Sequence, residues 1–398
     1  MKDAETRTGF FKLAKRLEGI PPYLFQRIDD LKTAAKAKGI QVVSLGIGDP
    51  DQPTPGDLVD ELYEHAKVNA NQKYPAYKGT LELRKAIADF YRRRFGVELK
   101  PETETLALIG SKEGIANIAL AVLDPEDIVI YPDPCYPVYP MNAVFVGCDS
   151  YTVPLLREND FLIDFGAIPD KVCKRAKLLW MNYPNNPTSA VAPKEFFEEA
   201  VKWARKWGVI LAHDNPYSEI YQSDTPPPSL LEVKGAMDVA IEFNSLSKMY
   251  NMTGWRIGMA VGNAEIVQAL ARVKSNIDSG VFLAIQKVAI KALNKPLDAT
   301  DDLRAMYTER RKVVENTLEE AGYDVYHGKG TFYVWVRTPR GVKSFDFVSE
   351  VIDRTGIVLG PGSGWGSSGE GFFRICLTLD AVDLRKHVKK ITETFPAK

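Results

Sequence analysis

The sequence predicts an α/β fold, a mostly parallel central sheet covered by helices, with a smaller α+β domain beside it. Three observations carry this expectation. From Thr105 to Val261 short apolar, β-branched runs alternate with helical stretches, the pattern of a parallel sheet buried on both faces. Most of these runs end in polar or Gly/Pro-rich segments, and ligands bind beyond the carboxyl ends of such strands. After about residue 295 the chain turns to one long charged helix and alternating strands. With 398 residues, two domains are expected: a large one over residues 46–295, and a small one from residues 1–45 plus 296–398.

Taken in order, residues 1–40 are polar and helix-prone, with Ile20–Phe25 as an extended apolar interruption. Val42–Leu45 reads as a short strand entering the turn Gly46–Asp51. Pro55-Gly56 opens a helix through about Ala70. Thr80 suits an N-cap for the helical pattern Leu81–Phe95, whose Arg92-Arg93-Arg94 reads as a solvated helix end. Thr105–Ile109 is a strand ending at Gly110-Ser111-Lys112, and Ile115–Leu123 a helix. Ile128–Tyr131 and Lys177–Met181 are strands, the second ending in Asn182–Pro187. Helix Lys194–Trp207 leads to strand Val209–Ala212, which ends in His213-Asp214-Asn215-Pro216-Tyr217. Strands Val239–Phe243 and Ile257–Val261 follow. Beyond them come a helix at Asp301–Gly322, a half-exposed strand at Thr331–Val336, a helix at Phe345–Thr355 and a strand at Phe372–Leu377.

Composition narrows the function classes. A net charge of −1 argues against nucleic acid or an anionic membrane as partner. The four cysteines form no Cys-x-x-Cys pair, so neither a metal site nor a disulfide framework is expected. No run reaches the ~18 apolar residues of a membrane span. The start of the chain lacks a signal-type apolar core, and a cytoplasmic protein is expected.

The most informative segment is Ser245-Leu246-Ser247-Lys248, with Arg256 eight residues after the lysine. It presents an amine beside hydroxyl and guanidinium donors at a strand end. A lysine that forms a Schiff base is the attachment point of pyridoxal 5′-phosphate, whose phosphate needs such donors. Other residues meet the cofactor's remaining demands. Asp214 is a carboxylate for the pyridine nitrogen, although an Asp after a strand is also a common turn residue. Asn186 and Tyr217 offer an amide and a hydroxyl to the phenolic oxygen; Asn-Pro is also a plain turn. Tyr136 is an aromatic cover for the ring, or a core tyrosine. Gly110-Ser111-Lys112 opens a helix that would receive the phosphate. Arg374 lies in an otherwise apolar strand, where a charge needs a partner: a substrate carboxylate or a structural salt bridge.

Together these residues resemble the fold-type I pyridoxal-phosphate-dependent aminotransferases, class I/II branch, with the aspartate aminotransferase-like fold. The run from Ser245 to Gly258 follows that family's signature throughout, and the likeness extends from Pro21 to about Lys389. The resemblance implies that Lys248 binds the cofactor covalently and then shuttles the proton at the substrate's α-carbon. It implies that Asp214 pairs with the pyridinium, that Asn186 and Tyr217 contact the phenolic oxygen, and that Tyr136 stacks on the ring. Ser111, Lys112 through its backbone, Ser245, Ser247 and Arg256 would hold the phosphate. Arg374, helped by the Gly48 backbone, would bind the substrate carboxylate. Tyr74 would reach the phosphate from a neighbouring subunit, which implies a homodimer with shared sites. The family's usual Asn-Pro-Thr-Gly is Asn186-Pro187-Thr188-Ser189 here, so Ser189 must adopt a geometry that glycine takes easily.

Within the family, segments such as Ile109–Ile115, Asp214–Ile220 and Ser275–Gly280 most resemble LL-diaminopimelate aminotransferases. That implies amino transfer between glutamate/2-oxoglutarate and LL-diaminopimelate/tetrahydrodipicolinate, a step of lysine biosynthesis. Tyr23, Lys112 and Asn276 are candidates for the far end of the substrate. Alanine, aspartate or aromatic amino acids are alternative substrates. A C–S lyase, decarboxylase or racemase would keep the cofactor and change the reaction, and a non-enzymatic regulator would need a DNA-binding module.

Overall fold

The computed structural model describes residue 11, residues 13–20 and residues 24–397. After β1 (Val43–Ser44) come β2 (Thr105–Leu108), β3 (Ile128–Asp133), β4 (Asp149–Pro154), β5 (Ala176–Asn182), β6 (Ile210–Asp214), β7 (Ala240–Ser245) and β8 (Gly258–Gly262). The last seven form one sheet in the order β2-β8-β7-β6-β5-β3-β4. Neighbours from β4 to β7 run parallel, and β8 alone opposes β2 and β7. The mostly parallel sheet is therefore as the sequence predicts.

Its continuous apolar strands serve two cores at once. Leu179 and Met181 of β5 pack on one face with Phe196, Phe197, Ala200 and Trp203, the buried stripe of helix Lys194–Trp207. Leu178 and Trp180 pack on the other face with Ile115, Ile118 and Leu270. Alternation along the strand thus sends successive side chains into opposite apolar layers.

The C-terminal third supplies β9 (Val325–Tyr326), β10 (Tyr333–Arg337), β11 (Ile357–Val358), β12 (Gly360–Pro361) and β13 (Phe372–Cys376). Four of these form an antiparallel sheet in the order β12-β13-β10-β9, while β11 pairs in parallel with β1. A third core joins this sheet to helices Asp301–Glu320, Ser344–Thr355 and Ala381–Thr394 through Val314, Val351 and Leu384, with Ile28 and Ala35 of helix Leu24–Ala37.

Several local expectations need correction. The strand at Thr331–Val336 is not half-exposed, since Tyr333 to Val336 are all buried. Trp335 enters the core of the large sheet, whereas Tyr333, Val334 and Val336 enter that of the small one; both faces of the strand are covered, so neither meets solvent. The arginine run is not simply a solvated helix end. Arg92 is exposed, but Arg94 pairs with Glu219 at 2.9 Å and donates to Ser218 O, and Arg93 donates to Leu293 O and Lys295 O. Leu24 opens a helix instead of continuing an extended segment. The helix after β2 begins at Ser111, as expected of a helix opened by Gly110-Ser111-Lys112, and so takes in the residues before Ile115 as well. Helix Tyr139–Val146 and strand β4 were absent from the sequence reading. Thr80 does cap helix Leu81–Phe95, its side chain accepting from Leu83 N. Among the described residues, no helix is long and apolar enough to cross a membrane.

Candidate active site

The carboxyl ends of β5, β6 and β7 open onto a cavity of about 290 Å³, completed by the loop at Gly48 and by Tyr333, Trp365 and Arg374 of the C-terminal third. Ligand sites in open α/β sheets lie at this end of the strands. Ser111, Lys112, Tyr136, Asn186, Asp214, Tyr217, Ser245, Ser247, Lys248, Arg256, Arg374 and Gly48 all line it. The fold thus brings together residues spread over more than three hundred positions.

Lys248 sits in the short helix Leu246–Met249, directly after β7, and Ser245 caps that helix by accepting from Ser247 N. The lysine Nζ donates to Gly48 O at 2.9 Å. Burial pulls its amine down to about 8; Arg374 and Arg256 add to the effect, while Asp49 and Cys376 oppose it. A lysine depressed this far has a substantial neutral, nucleophilic fraction near neutrality.

Asp214 ends β6. Its Oδ2 accepts from the Tyr139 hydroxyl at 2.7 Å, while Oδ1 is buried with no hydrogen-bond partner. Burial pushes its carboxyl up to about 6, with the Tyr139 hydrogen bond and the charge of His213 pulling back. Asn182, at the end of β5, donates to Asp214 O at 2.7 Å and accepts from Asn186 N at 2.8 Å, which fixes the Asn186 turn against the aspartate strand. The hydroxyls of Tyr217 and Tyr333 lie 2.7 Å apart.

An anion cup lies across the cavity. Ser111 is the first residue of helix Ser111–Val122, preceded by Gly110 at φ +75°. A Cβ on Gly110 would stand 2.3 Å from Arg256 Nη2, so glycine here is what lets the guanidinium approach. Ser245 Oγ and Ser247 Oγ are 2.8 Å apart, and Arg256 Nη1 donates to Thr253 O. Hydroxyls, a guanidinium and a helix start together suit a dianion.

Arg374 is held between two rings, 4.1 Å from the centroid of Tyr333 and 4.3 Å from that of Trp365. It donates to Asn186 Oδ1 at 2.6 Å and to Gly46 O at 2.8 Å, and its Nε is buried without a partner. Among the described residues no carboxylate pairs with it, so its hydrogen-bond partners are neutral and the structural salt bridge is not found. A buried guanidinium of this kind can take a carboxylate.

Two expected residues are not in the cavity. Tyr74 is 88% exposed at the surface. Asn276 is exposed and donates to Arg272 O. Tyr23 lies outside the described residues. Conversely, the sequence reading missed Tyr139, Asn182, Tyr333 and Trp365. Only Tyr139 carried a local signal, one helical turn after Tyr136. The other three are brought in by strand register and by the packing of the C-terminal third.

The unpartnered Asp214 Oδ1, the glycine-opened cup with Arg256 and the depressed Lys248 amine fit pyridoxal 5′-phosphate: a ring-nitrogen acceptor, a phosphate site and a carbonyl-reactive amine. Comparisons with known proteins agree. The profile described as aminotransferase class I and II matches residues 40–391. An LL-diaminopimelate aminotransferase from Aquifex aeolicus is 51% identical over 381 residues, covering 96% of this chain and 98% of the relative. One from Nitratidesulfovibrio vulgaris (strain Hildenborough) is also 51% identical, over 96% of this chain and 99% of its own. Among solved structures, substrate-bound BacF from Bacillus subtilis superimposes with a TM-score of 0.94 at 33% identity, covering 98% of this chain and 99% of that one. A Thermus thermophilus aspartate aminotransferase mutant gives 0.90 at 27% identity, over 97% of this chain and all of its own. The fold, the cavity and these likenesses make the chain a member of the class I and II aminotransferases, enzymes that depend on pyridoxal 5′-phosphate.

Proposed function

We propose that this enzyme transfers an amino group between LL-diaminopimelate and 2-oxoglutarate, in the direction that serves lysine biosynthesis. The observation that carries the reading is the 51% identity to an LL-diaminopimelate aminotransferase across 96% of the chain. Pocket contacts decide side-chain preference among aminotransferases, and each is worth only ~1–3 kcal/mol; likeness over nearly the whole chain covers all of them together.

On this reading Lys248 would bind the cofactor covalently, and Asp214 would hold the proton on the ring nitrogen. Asn186 and Tyr217 would face the phenolic oxygen, and Tyr136 would cover the ring. Ser111, the Lys112 backbone, Ser245, Ser247 and Arg256 would hold the phosphate. When bound, pyridoxal phosphate supplies an electron sink that acidifies the substrate's α-hydrogen. Arg374 and the Gly48 backbone bind the α-carboxylate and so orient the α-carbon toward Lys248. Released from the cofactor when the substrate's own amino group takes its place, Lys248 Nζ would take the α-proton as general base, a role suited to an amine pulled down to about 8. Holding the carboxylate disfavours its loss, which supports transamination over decarboxylation.

The functional unit on this reading is a cytoplasmic homodimer. Tyr74, Tyr77, Ile277 and Phe282 are all exposed, and the Gly280 turn abuts Pro75 and Ala76. The two segments therefore form one apolar patch, suited to a second copy, from which Tyr74 would reach the neighbouring phosphate.

A coupled assay tests the substrate. LL-diaminopimelate with 2-oxoglutarate is expected to turn over with a kcat/KM at least about 100-fold above alanine, aspartate or phenylalanine. A preference for any of those three would refute the assignment.

A further inference from the structure

We propose that His213 is a positioning residue protonated on both ring nitrogens, an imidazolium held by Glu242 that keeps the Asp214 carboxylate ionised toward the cofactor's ring nitrogen. The inference rests on the Asp214 role stated above and adds the group that enforces it.

Both side chains are fully buried. They lie opposite each other in register on β6 and β7. His213 Nδ1 is 2.8 Å from Glu242 Oε2, and Nε2 is 2.9 Å from Tyr183 O. A backbone carbonyl only accepts, so Nε2 must carry a proton. The charge on Glu242 decides Nδ1. Tyr91 Oη (2.9 Å) and Asn215 Nδ2 (3.2 Å) donate to Oε1. Ser229 Oγ (2.8 Å) and Leu230 N (3.2 Å) donate to Oε2. Two of these four are N–H groups that can only donate, and Ser229 Oγ already accepts from Leu231 N. Such a shell fits a carboxylate, which accepts at every position. Nδ1 must then donate as well, and the ring carries a positive charge.

Burial pushes the Glu242 carboxyl up, but the His213 ring, Ser229 and Tyr91 outweigh it and hold it below its ordinary value. The Phe197 ring packs 5.0 Å from the imidazole. The other acids around Glu242 are Glu219, already paired with Arg94, and Glu232, whose side chain accepts from Ser229 N. Asp214 follows His213 on the strand, and the histidine's charge acts against the burial that would neutralise it. One residue thereby ties three neighbouring strands: β5 through Tyr183, next to Asn182 and its Asn186 turn; β6, which ends in Asp214; and β7, which leads to Lys248.

Two experiments decide this. In holoenzyme labelled with ¹⁵N-histidine, one of the four histidines is expected to give a doubly protonated ring signal that vanishes in His213→Gln. A wild-type spectrum without a signal that His213→Gln removes would overturn the proposal. The second experiment uses the double variant His213→Gln/Glu242→Gln, which keeps hydrogen-bonding groups and removes both charges. The pH midpoint of the bound cofactor's absorbance should move up by roughly half to one unit, because losing a nearby cation eases protonation. A purely structural role would lower the melting temperature and leave that midpoint in place, and this outcome overturns the proposal. Asp214→Asn separates the two readings. If it shifts the midpoint and the double variant does not, only the His213 proposal fails; if neither shifts it, the Asp214 role fails and His213 with it.

Discussion

Lys248 shows how a single side chain can carry a cost in the empty fold and a function in the working enzyme. Its amine is held near 8 by burial, against about 10.4 in an unfolded chain. Below pH 8 both states are protonated, and folding bears the full cost of the buried charge. As pH rises from 8 to about 10.5 the unfolded chain holds more protons than the folded one, so stability rises with pH in that window. Lys248→Met is therefore expected to stabilise the apoprotein on the order of 1–2 kcal/mol at pH 7, a gain that fades by pH 10.5. Urea melts at the two pH values check it; an equal effect at both would contradict the burial argument. Arg374 makes a complementary case, since it is pinned by Asn186, Gly46 and two rings. Lysine would keep the charge and lose the planar fork. Arg374→Lys should raise KM for amino acids by about 10–100-fold with a smaller change in kcat, read from initial rates.

At the scale of elements, turns after strands do the positioning, and two tight ones invite tests. Gly110 sits at φ +75° with its missing Cβ 2.3 Å from Arg256. Gly110→Ala would displace that guanidinium, and cofactor affinity should fall by about 10-fold or more, measured by equilibrium dialysis. Ser189 sits at φ +69°, the left-handed geometry expected where the family has glycine. Its hydroxyl donates to Tyr333 O and lies 2.7 Å from Thr331 Oγ1, so the strained turn is stitched to β10. Ser189→Ala loses the bonds and keeps the strain, whereas Ser189→Gly loses the bonds and relieves it. The alanine variant should be the less stable by about 1–2 kcal/mol in thermal melts.

For the whole molecule, the question is how the C-terminal third is held over the sheet. Asp51, on the loop that carries Gly48, makes a two-point ion pair with Arg310 at 2.7 and 2.8 Å, and Arg310 also donates to Leu377 O. Burial raises the Asp51 carboxyl, but Arg310 and Gln52 outweigh it and hold it below its ordinary value. That stability is present above the ordinary carboxylate range and is lost as pH falls through the lowered value. Asp51→Ala leaves a buried guanidinium short of its anion, at a cost of about 2–4 kcal/mol. Denaturant titration at pH 7 should show the loss, and it should shrink in acid.

The chemistry of this protein was legible in the sequence wherever it is local. The segment from Ser245 to Gly258 compresses an amine, two hydroxyls and a guanidinium into one strand-to-turn stretch, because a covalent cofactor and its phosphate need them side by side. The alternating apolar runs were legible for the same reason, since burial on both faces leaves a mark on every strand. What only the tertiary structure decided is long-range pairing. Tyr139 reaches Asp214 through a helix that the sequence reading did not find. Tyr333 and Trp365 bracket Arg374 because β10 pairs with β13 and the Gly362–Trp365 turn folds over that pair. His213 meets Glu242 through strand register. Local spacing fixes which groups a segment offers, but register and domain packing choose their partners, and those contacts leave no periodic trace in the chain.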